Sequence, residues 1–474
     1  MSCTVELRGT ADAALRAIVA EGLPRLLEAL ALADRTLPRF VHREFQSYLE
    51  CRDPELGFAW LECAACDHHR LVLFSCKTRG FCPSCAGRRM AEGAAHWLDR
   101  VIPLVATRQW VLTVPFRRRW LLARRTDLLD GVLRVALRIL SRWYRNSTGR
   151  SAGKSGSITA IQRFGSAMNL NVHFHIVHLD GVYDRGADGA LRFFQRTPCT
   201  EDVETLVQAI AQACERWLGR RGFAGEAEDA VEEEQDAHGI LQLASLMGLS
   251  AVGERAGKKV RRVQRLGGRE VELGPRCAGF EGYNLHANVG FAAMERAGLE
   301  RLCRYVLRPP LALGRLERLE NGRVRLGMKR AWSDGTEAIE YTAQEFVEKL
   351  AAIIPPPRAN QVIYGGVLAG NAAWRAEVVP KVPTSTEGQR AERAAQRLVK
   401  QDAARQARAE SRPCWAELLK RVFAVDGWAC PLCGDRMKLR TILMRTPEAR
   451  QVLRGLLRAQ GPPGEGDVDV DRRA

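Results

Sequence analysis

The sequence predicts an α+β protein built around a mainly antiparallel sheet. Three observations predict it: a β-branched run stopped by proline at Gln109–Pro115, strict alternation of apolar and polar residues at Asn171–His178, and a helical apolar stripe lying between them. With 474 residues, 46% of them hydrophobic, the chain is long enough for two or three domains with a substantial core.

Residues 1–44 are expected to form a helical N-terminal segment, and residues 45–100 a small zinc-binding module. Six of the 14 cysteines fall between positions 51 and 85, together with two of the nine histidines. Cys63-x-x-Cys66, then fifteen residues, then Cys82-x-x-Cys85 is the spacing of two knuckles closing on one tetrahedral Zn²⁺, with Gly80 and Pro83 supplying bends around the second turn. Cys51, Cys76, His68 and His69 are left over, either to serve a second ion or to replace one of the four, or else as buried thiols and solvated imidazoles. Lys77, Arg79, Arg88 and Arg89 make the module basic, and DNA contact is its natural use, with protein binding as the alternative.

Residues 101–380 are expected to form the main domain. After the Gln109–Pro115 strand, Leu129, Val132, Leu133, Ala136, Ile139, Leu140 and Trp143 lie on one face of a helix from about Thr126 to Trp143. Ser157–Phe164 reads as a second strand. In the strand that follows, Val172, Phe174 and Ile176 point one way while Asn171, His173 and His175 point the other. Two imidazoles roughly 7 Å apart on one strand face can each offer a neutral nitrogen to one divalent ion, the spacing a metal-dependent nuclease would use. Residues 222–280 read as an insertion, acidic from Glu226 to Asp236 and basic at Lys258, Lys259, Arg261, Arg262, Arg265 and Arg269; it is expected as a solvated excursion, with a DNA-facing loop as the lesser reading. A helix at Ala292–Leu307 carries the stripe Leu299, Leu302, Val306 and must end at Pro309-Pro310. Tyr305 stands in its last turn, and Arg308, three residues on, projects beside the phenol, where it can stabilise phenolate or phosphate charge.

Residues 381–474 are expected to be a basic helical region. Gly388–Arg412 is rich in Arg, Ala and Gln, so it reads as a solvated helix or linker, and Cys430-x-x-Cys433 is half a zinc site for which Cys414 is a candidate third ligand.

Charge narrows the partners. Lys and Arg total 72 against 55 Asp and Glu, a net charge of +17 that favours a polyanion such as nucleic acid. A membrane is the weaker choice, because no apolar run approaches the roughly 18 to 20 residues that span a bilayer. The N-terminus also lacks a basic region followed by an apolar signal core, so the chain is expected in the cytoplasm, where cysteines serve as metal ligands or buried thiols rather than disulfides.

The order of parts also resembles a known family. Ser75-Cys76-Lys77 with Cys82-Pro83-x-Cys85 comes first, then Trp110-Val-Leu-Thr-Val-Pro115, Asn169-Leu-Asn-Val-His-Phe-His175 and Leu179-Asp-Gly-Val-Tyr183. Leu285-His286-Ala287, Arg304-Tyr-Val-Leu-Arg-Pro-Pro310, Pro355-Pro-Pro-Arg358, Trp415-Ala-Glu-Leu-Leu419 and Cys430-Pro-Leu-Cys433-Gly434 follow. From about residue 45 to 440 the chain resembles a rolling-circle transposase of the insertion sequence 91 family, in its common-region relatives above all. Two-tyrosine members carry Tyr-x-x-x-Tyr; Arg301 occupies the first position here, so the chain resembles the single-tyrosine branch.

That resemblance implies an antiparallel-sheet His-hydrophobe-His endonuclease core, preceded by the zinc module and followed by the basic helical extension. It implies His173 and His175 as ligands of a catalytic Mg²⁺ or Mn²⁺ and Tyr305 as covalent nucleophile. A phenol with its ordinary pKa near 10 is a poor nucleophile at neutral pH, and a divalent ion that polarises the phosphate answers this. In-line attack leaves a 5′-phosphotyrosine and a free 3′-OH, which can later attack another such link and exchange strands without ATP. Two imidazoles do not complete the ion's shell; Gln162, on the strand expected to pair with the His-x-His strand, is the first candidate for a third ligand and His286 the alternative, while Tyr364 is the alternative nucleophile. The expected partners are DNA, as single-stranded or hairpin element ends and as target, with a homodimer and nucleoid association in a bacterial cytoplasm. The same metal and tyrosine parts would serve a plasmid replication initiator or relaxase, and a zinc-dependent DNA-binding remnant without catalysis is the reading from another class.

Overall fold

The computed structural model describes residues 2–5, 10–224, 236–265, 274–380, 427–444 and 451. The expectations for Gly388–Arg412, Cys414 and Trp415–Leu419 lie outside the described residues.

In chain order the N-terminal elements are β1 (Ser2–Val5), α1 (Thr10–Leu32), α2 (Arg39–Glu50), β2 (Gly57–Glu62), β3 (His68–Leu73) and α3 (Pro83–Arg100). Then come β4 (Thr107–Thr113), α4 (Phe116–Arg124), α5 (Thr126–Ser147), β5 (Gly156–Phe164), β6 (Leu170–Leu179), β7 (Gly181–Arg185), β8 (Leu191–Gln195) and α6 (Thr200–Gly219). They are followed by α7 (Ala237–Met247), β9 (Arg261–Gln264), β10 (Cys277–Phe280), β11 (Tyr283–Phe291) and α8 (Arg296–Val306). The last are β12 (Leu316–Arg318), β13 (Val324–Gly327), β14 (Thr336–Tyr341), α9 (Ala343–Ile353), β15 (Val362–Gly366), α10 (Arg375–Val378) and β16 (Lys438–Met444).

The chain divides into two compact units. The first, drawn from Met1–Arg16, Glu44–Glu92 and Pro383–Ala474, holds a four-stranded sheet in the order β1-β3-β2-β16. Strand β16, from the far end of the chain, pairs antiparallel with β2, setting Leu439 opposite Leu61. The Cys430 segment therefore belongs to the cysteine module and not to a C-terminal region of its own.

The second unit, Ala17–Arg43 and Gly93–Val382, is built on a six-stranded sheet in the order β10-β11-β4-β6-β5-β15. Every pairing in it is antiparallel. The period-two pattern of β6 sets its two faces. Val172, Phe174 and Ile176 are fully buried among Val132, Leu133, Ala136 and Leu140 of α5 and Val207 and Ile210 of α6. On the opposite face Val177 and Leu179 pack with Leu299, Leu302 and Val306 of α8. The apolar stripe of α5 was legible as a 3.6-residue repeat, and the helix runs one turn beyond the expected Trp143. One buried ion pair ties β4 and β11 to the residue that follows β6: Arg108 on β4 donates to both carboxylate oxygens of Asp180 at 2.9 and 2.8 Å and to the Ala287 carbonyl of β11 at 2.7 Å, while the Tyr144 hydroxyl donates to the same carboxylate at 2.9 Å.

Two expectations need correction. The described part of 222–280 is only partly a solvated excursion: Asp236 caps α7 by accepting from the Gly239 amide at 2.7 Å, Gly248 closes it at φ 71°, and His238, Leu241 and Ser245 are buried, as α7 packs on α9. Arg261, Arg262 and Arg265 face carboxylates of Glu340, Asp334 and Glu337. These arginines are themselves exposed, so the basic run keeps the solvated face expected of it while it pairs along the β12-β13-β14-β9 sheet. The second correction is smaller. Helix α8 starts at Arg296, not Ala292, because Glu295 turns back to accept from the Ala292 amide at 2.6 Å.

Candidate active site and metal centres

The α8 face of the six-stranded sheet carries a polar patch where its apolar packing ends. Thr113 on β4, His173 on β6 and Gln162 on β5 stand in one cross-strand row; Val111, His175 and Ala160 stand in the next. The two imidazole rings are 5.0 Å apart between centroids. Burial pushes His173 down to about 4 and His175 down to about 3, and the Arg308 cation acts in the same direction, so both rings are neutral near pH 7. Nδ1 of His173 lies 3.0 Å from the Asn171 carbonyl oxygen, to which it can only donate, which leaves its Nε2 as a lone-pair donor. Nδ1 of His175 lies 2.8 Å from the side-chain amide of Gln109.

Helix α8 delivers Tyr305 to this patch. Its ring meets His175 edge-on, 5.8 Å between centroids and 88° between planes, and remains 42% exposed, so a bulky substrate can reach the phenol. Arg308 sits 4.8 Å from the centre of the Tyr305 ring and 5.5 Å from that of Phe164, and its Nε is buried with no partner. Lys329 adds a second cation 5.7 Å from the same phenol ring. Two cations beside an exposed phenol suit a phosphate group.

Among the expected metal ligands, Gln162 stands directly across the strand pair from His173. Its amide nitrogen donates to the Val306 carbonyl at 2.7 Å, while its Oε1 is buried without a partner. An orphaned acceptor beside two neutral imidazoles fits a divalent ion that takes oxygen and nitrogen ligands. His286 is on β11, beyond β4 from the His-x-His strand, which puts the two strands about 10 Å apart. Tyr364, on β15, is half-buried and accepts a hydrogen bond from Trp97 Nε1 at 3.0 Å. Its phenol is engaged in packing, unlike that of Tyr305.

The cysteines form two groups, not the expected one. Cys63, Cys66, Cys82 and Cys85 are not brought together; Cys51, Cys76, Cys82 and Cys85 make one cluster, and Cys63, Cys66, Cys430 and Cys433 the other. Cys63-x-x-Cys66 lies on the turn between β2 and β3, whereas Cys82-x-x-Cys85 opens α3, and each pair finds its complement elsewhere. The left-over Cys51 and Cys76 complete the first cluster. Its Cys76–Cys85, Cys51–Cys82 and Cys51–Cys85 sulfurs are 3.4, 3.7 and 4.0 Å apart, close to the edge of a ZnS₄ tetrahedron with bonds of about 2.3 Å. The Lys77 amide donates to Cys85 Sγ at 3.2 Å and the Cys76 amide to Cys51 Sγ at 3.3 Å, as thiolate ligands require.

Of the basic residues expected to touch DNA, Lys77, Arg79 and Arg88 are exposed, Arg88 in an ion pair with Glu92 at 2.8 Å. Arg89 is half-buried and donates to the Thr78 carbonyl, bracing the knuckle loop from inside the module.

Several residues of these sites were not singled out in the sequence. Gln109 shares the face of Val111 and Thr113 by alternation, a signal that was present but unused. Lys329 reaches Tyr305 only through tertiary folding, and the pairing of Cys63/Cys66 with Cys430/Cys433 spans more than 360 residues.

Comparison with known families adds two matches. Residues 156–375, which include His173, His175, Gln162 and Tyr305, are similar to the Y2 transposase family, and residues 23–114 to the transposase zinc-binding domain of the IS91 family. Together they span about two thirds of the chain. No curated protein and no solved structure matches it. Among the described residues no helix is long and apolar enough to cross a membrane.

Proposed function

The chain belongs to the IS91 family of transposases, and from that premise we propose that it cuts and rejoins single DNA strands through a covalent 5′-phosphotyrosine on Tyr305. The observation that carries this reading is the edge-on packing of the exposed Tyr305 ring against His175, itself paired with His173.

His173, His175 and Oε1 of Gln162 would hold a Mg²⁺ or Mn²⁺ ion, which when bound polarises the scissile phosphate and offsets charge developing on its oxygens. The protein's own groups do the rest. Tyr305 is presented by the last turn of α8, with Arg308 and Lys329 beside the phenol to receive the phosphate. The phenol oxygen forms a bond to phosphorus as the bond from phosphorus to O3′ breaks. The phenol proton passes to solvent, and O3′ takes up a proton to become a free 3′-OH. A later attack by a 3′-OH on the phosphotyrosine reverses these bond changes, so strands are exchanged at no net cost in phosphodiester bonds. The substrates in this reading are single-stranded or hairpin ends of the protein's own element together with target DNA, moved by a rolling-circle-like route. Replication initiation or plasmid relaxation would use the same parts, and the transposase family favours strand transfer over both.

The test mixes purified protein, Mn²⁺ and a labelled single-stranded oligonucleotide from the element's end, and looks for an adduct that survives denaturant. Wild type should form it and Tyr305→Phe should not, with DNA binding retained. An adduct that persists in the Phe variant removes Tyr305 from the mechanism.

A further inference from the structure

We infer that Cys63, Cys66, Cys430 and Cys433 bind a second structural zinc, in a ribbon whose two halves are more than 360 residues apart in the chain. Cys430 and Cys433 lie outside the matched zinc-binding domain, which ends at residue 114.

The two CxxC turns have the same backbone geometry. The Cys63 amide donates to the His68 carbonyl at 2.8 Å and the Asp67 amide returns to the Cys63 carbonyl at 3.0 Å, with Asp67 left-handed at φ 53°. The Cys430 amide donates to the Asp435 carbonyl at 2.7 Å and the Gly434 amide returns to the Cys430 carbonyl at 2.9 Å, with Gly434 at φ 78°. Each cysteine accepts from the residue four places on and donates to the residue five places on, a turn that points both sulfurs to one side. The Cys82–Cys85 pair differs, since it runs directly into α3.

The two turns face each other. Cys63 Sγ is 3.5 Å from Cys433 Sγ, and Cys66 Sγ is 3.5 Å from Cys430 Sγ. That is far beyond the about 2.05 Å of a disulfide and near the about 3.8 Å edge expected of sulfurs around one tetrahedral zinc.

Packing alone gives little hold on this segment. Its core consists of Leu61, Cys63, Cys430 and Met437, with Val72 and Trp428 at its margin, so two of its four buried members are the thiols themselves. Leu439, Ile442 and Met444 of β16 are each at least half exposed. A core this small needs a metal or a cross-link, and four converging thiols supply the metal ligands.

The test uses the full-length protein, expressed with zinc and kept reduced. Elemental analysis should find two zinc ions per chain, and Cys430→Ser/Cys433→Ser should keep one. Alkylation of the wild type, read by mass spectrometry, gives a result that does not depend on a variant folding. The exposed Cys199 should react without a chelator, whereas Cys66 and Cys433, also exposed, should react only after one is added. One zinc in the wild type, two in the double variant, or Cys66 and Cys433 reacting alongside Cys199 in the zinc-loaded protein would each overturn the assignment.

Discussion

The side-chain amide of Gln109 lies 2.8 Å from Nδ1 of His175, on the side of that ring turned away from its neighbour on the strand by the pairing of β4 with β6. A ring nitrogen cannot serve a proton and a metal at once. If the amide nitrogen donates to Nδ1, the proton sits on Nε2; if the amide oxygen accepts from Nδ1–H, Nε2 is free to ligate. Metal binding through Nε2 therefore selects one orientation of the Gln109 amide.

Gln109→Leu removes that control. Manganese affinity measured by calorimetry should fall about 10- to 100-fold, with zinc content unchanged. Gln109→Glu keeps an oxygen acceptor for Nδ1–H and should restore most of the affinity. Wild-type manganese binding by the Leu variant would show that His175 is oriented without Gln109.

Stability should fall in mildly acidic solution. Burial holds His178 and His238 each down to about 4, whereas an unfolded histidine titrates near 6.5. Below about pH 6.5 the unfolded chain takes up protons that the folded chain refuses, so stability is complete above that pH and is lost as pH falls from there toward 4. Each group contributes up to about 1.4 kcal/mol per pH unit inside the window. Urea midpoints without divalent metal should be lower at about pH 5 than at about pH 7.5, and the difference should shrink in His238→Gln. Equal midpoints would contradict the buried, neutral state of these rings.

Asp180 is a costly carboxylate to remove. It faces the buried Arg108 through two hydrogen bonds and also accepts from Tyr144 at 2.9 Å and Thr197 at 3.2 Å. Asp180→Ala leaves the guanidinium buried without its counter-charge, which should cost about 3–5 kcal/mol in chemical denaturation. A loss under about 1 kcal/mol would mean that the pair is solvated.

Much of the sheet was legible because periodicity is a local property. Val172, Phe174 and Ile176 announced β6 and its buried face, Leu129 to Trp143 announced α5, and Pro309 ended α8. His173, His175, Gln162 and Tyr305 could be named one by one, since each stands on an element with a readable face, and Arg308 follows just past the end of α8. The cysteines were legible as ligands but not as sets: spacing tells which two thiols share a turn, and only the fold tells which turns meet. The insertion misled for a related reason. Its charge run hid the buried helix α7, and although its arginines are exposed as expected, their partners Glu340 and Asp334 lie some 70 to 80 residues further on.

The pairing of β2 with β16 sets an order of events during synthesis. Strand β2 leaves the ribosome with β3 to cover one edge, but its other edge waits for residues 438–444. At bacterial or eukaryotic elongation rates of about 5–20 residues per second, that wait lasts roughly 20 to 80 s. Through it the nascent chain carries an uncovered strand edge, a template for pairing with neighbouring chains, and two thiols, Cys63 and Cys66, that have yet to meet Cys430 and Cys433. A chain cut short by a premature stop would never close that edge, so incomplete products should go to aggregates or proteases instead of competing with the finished protein.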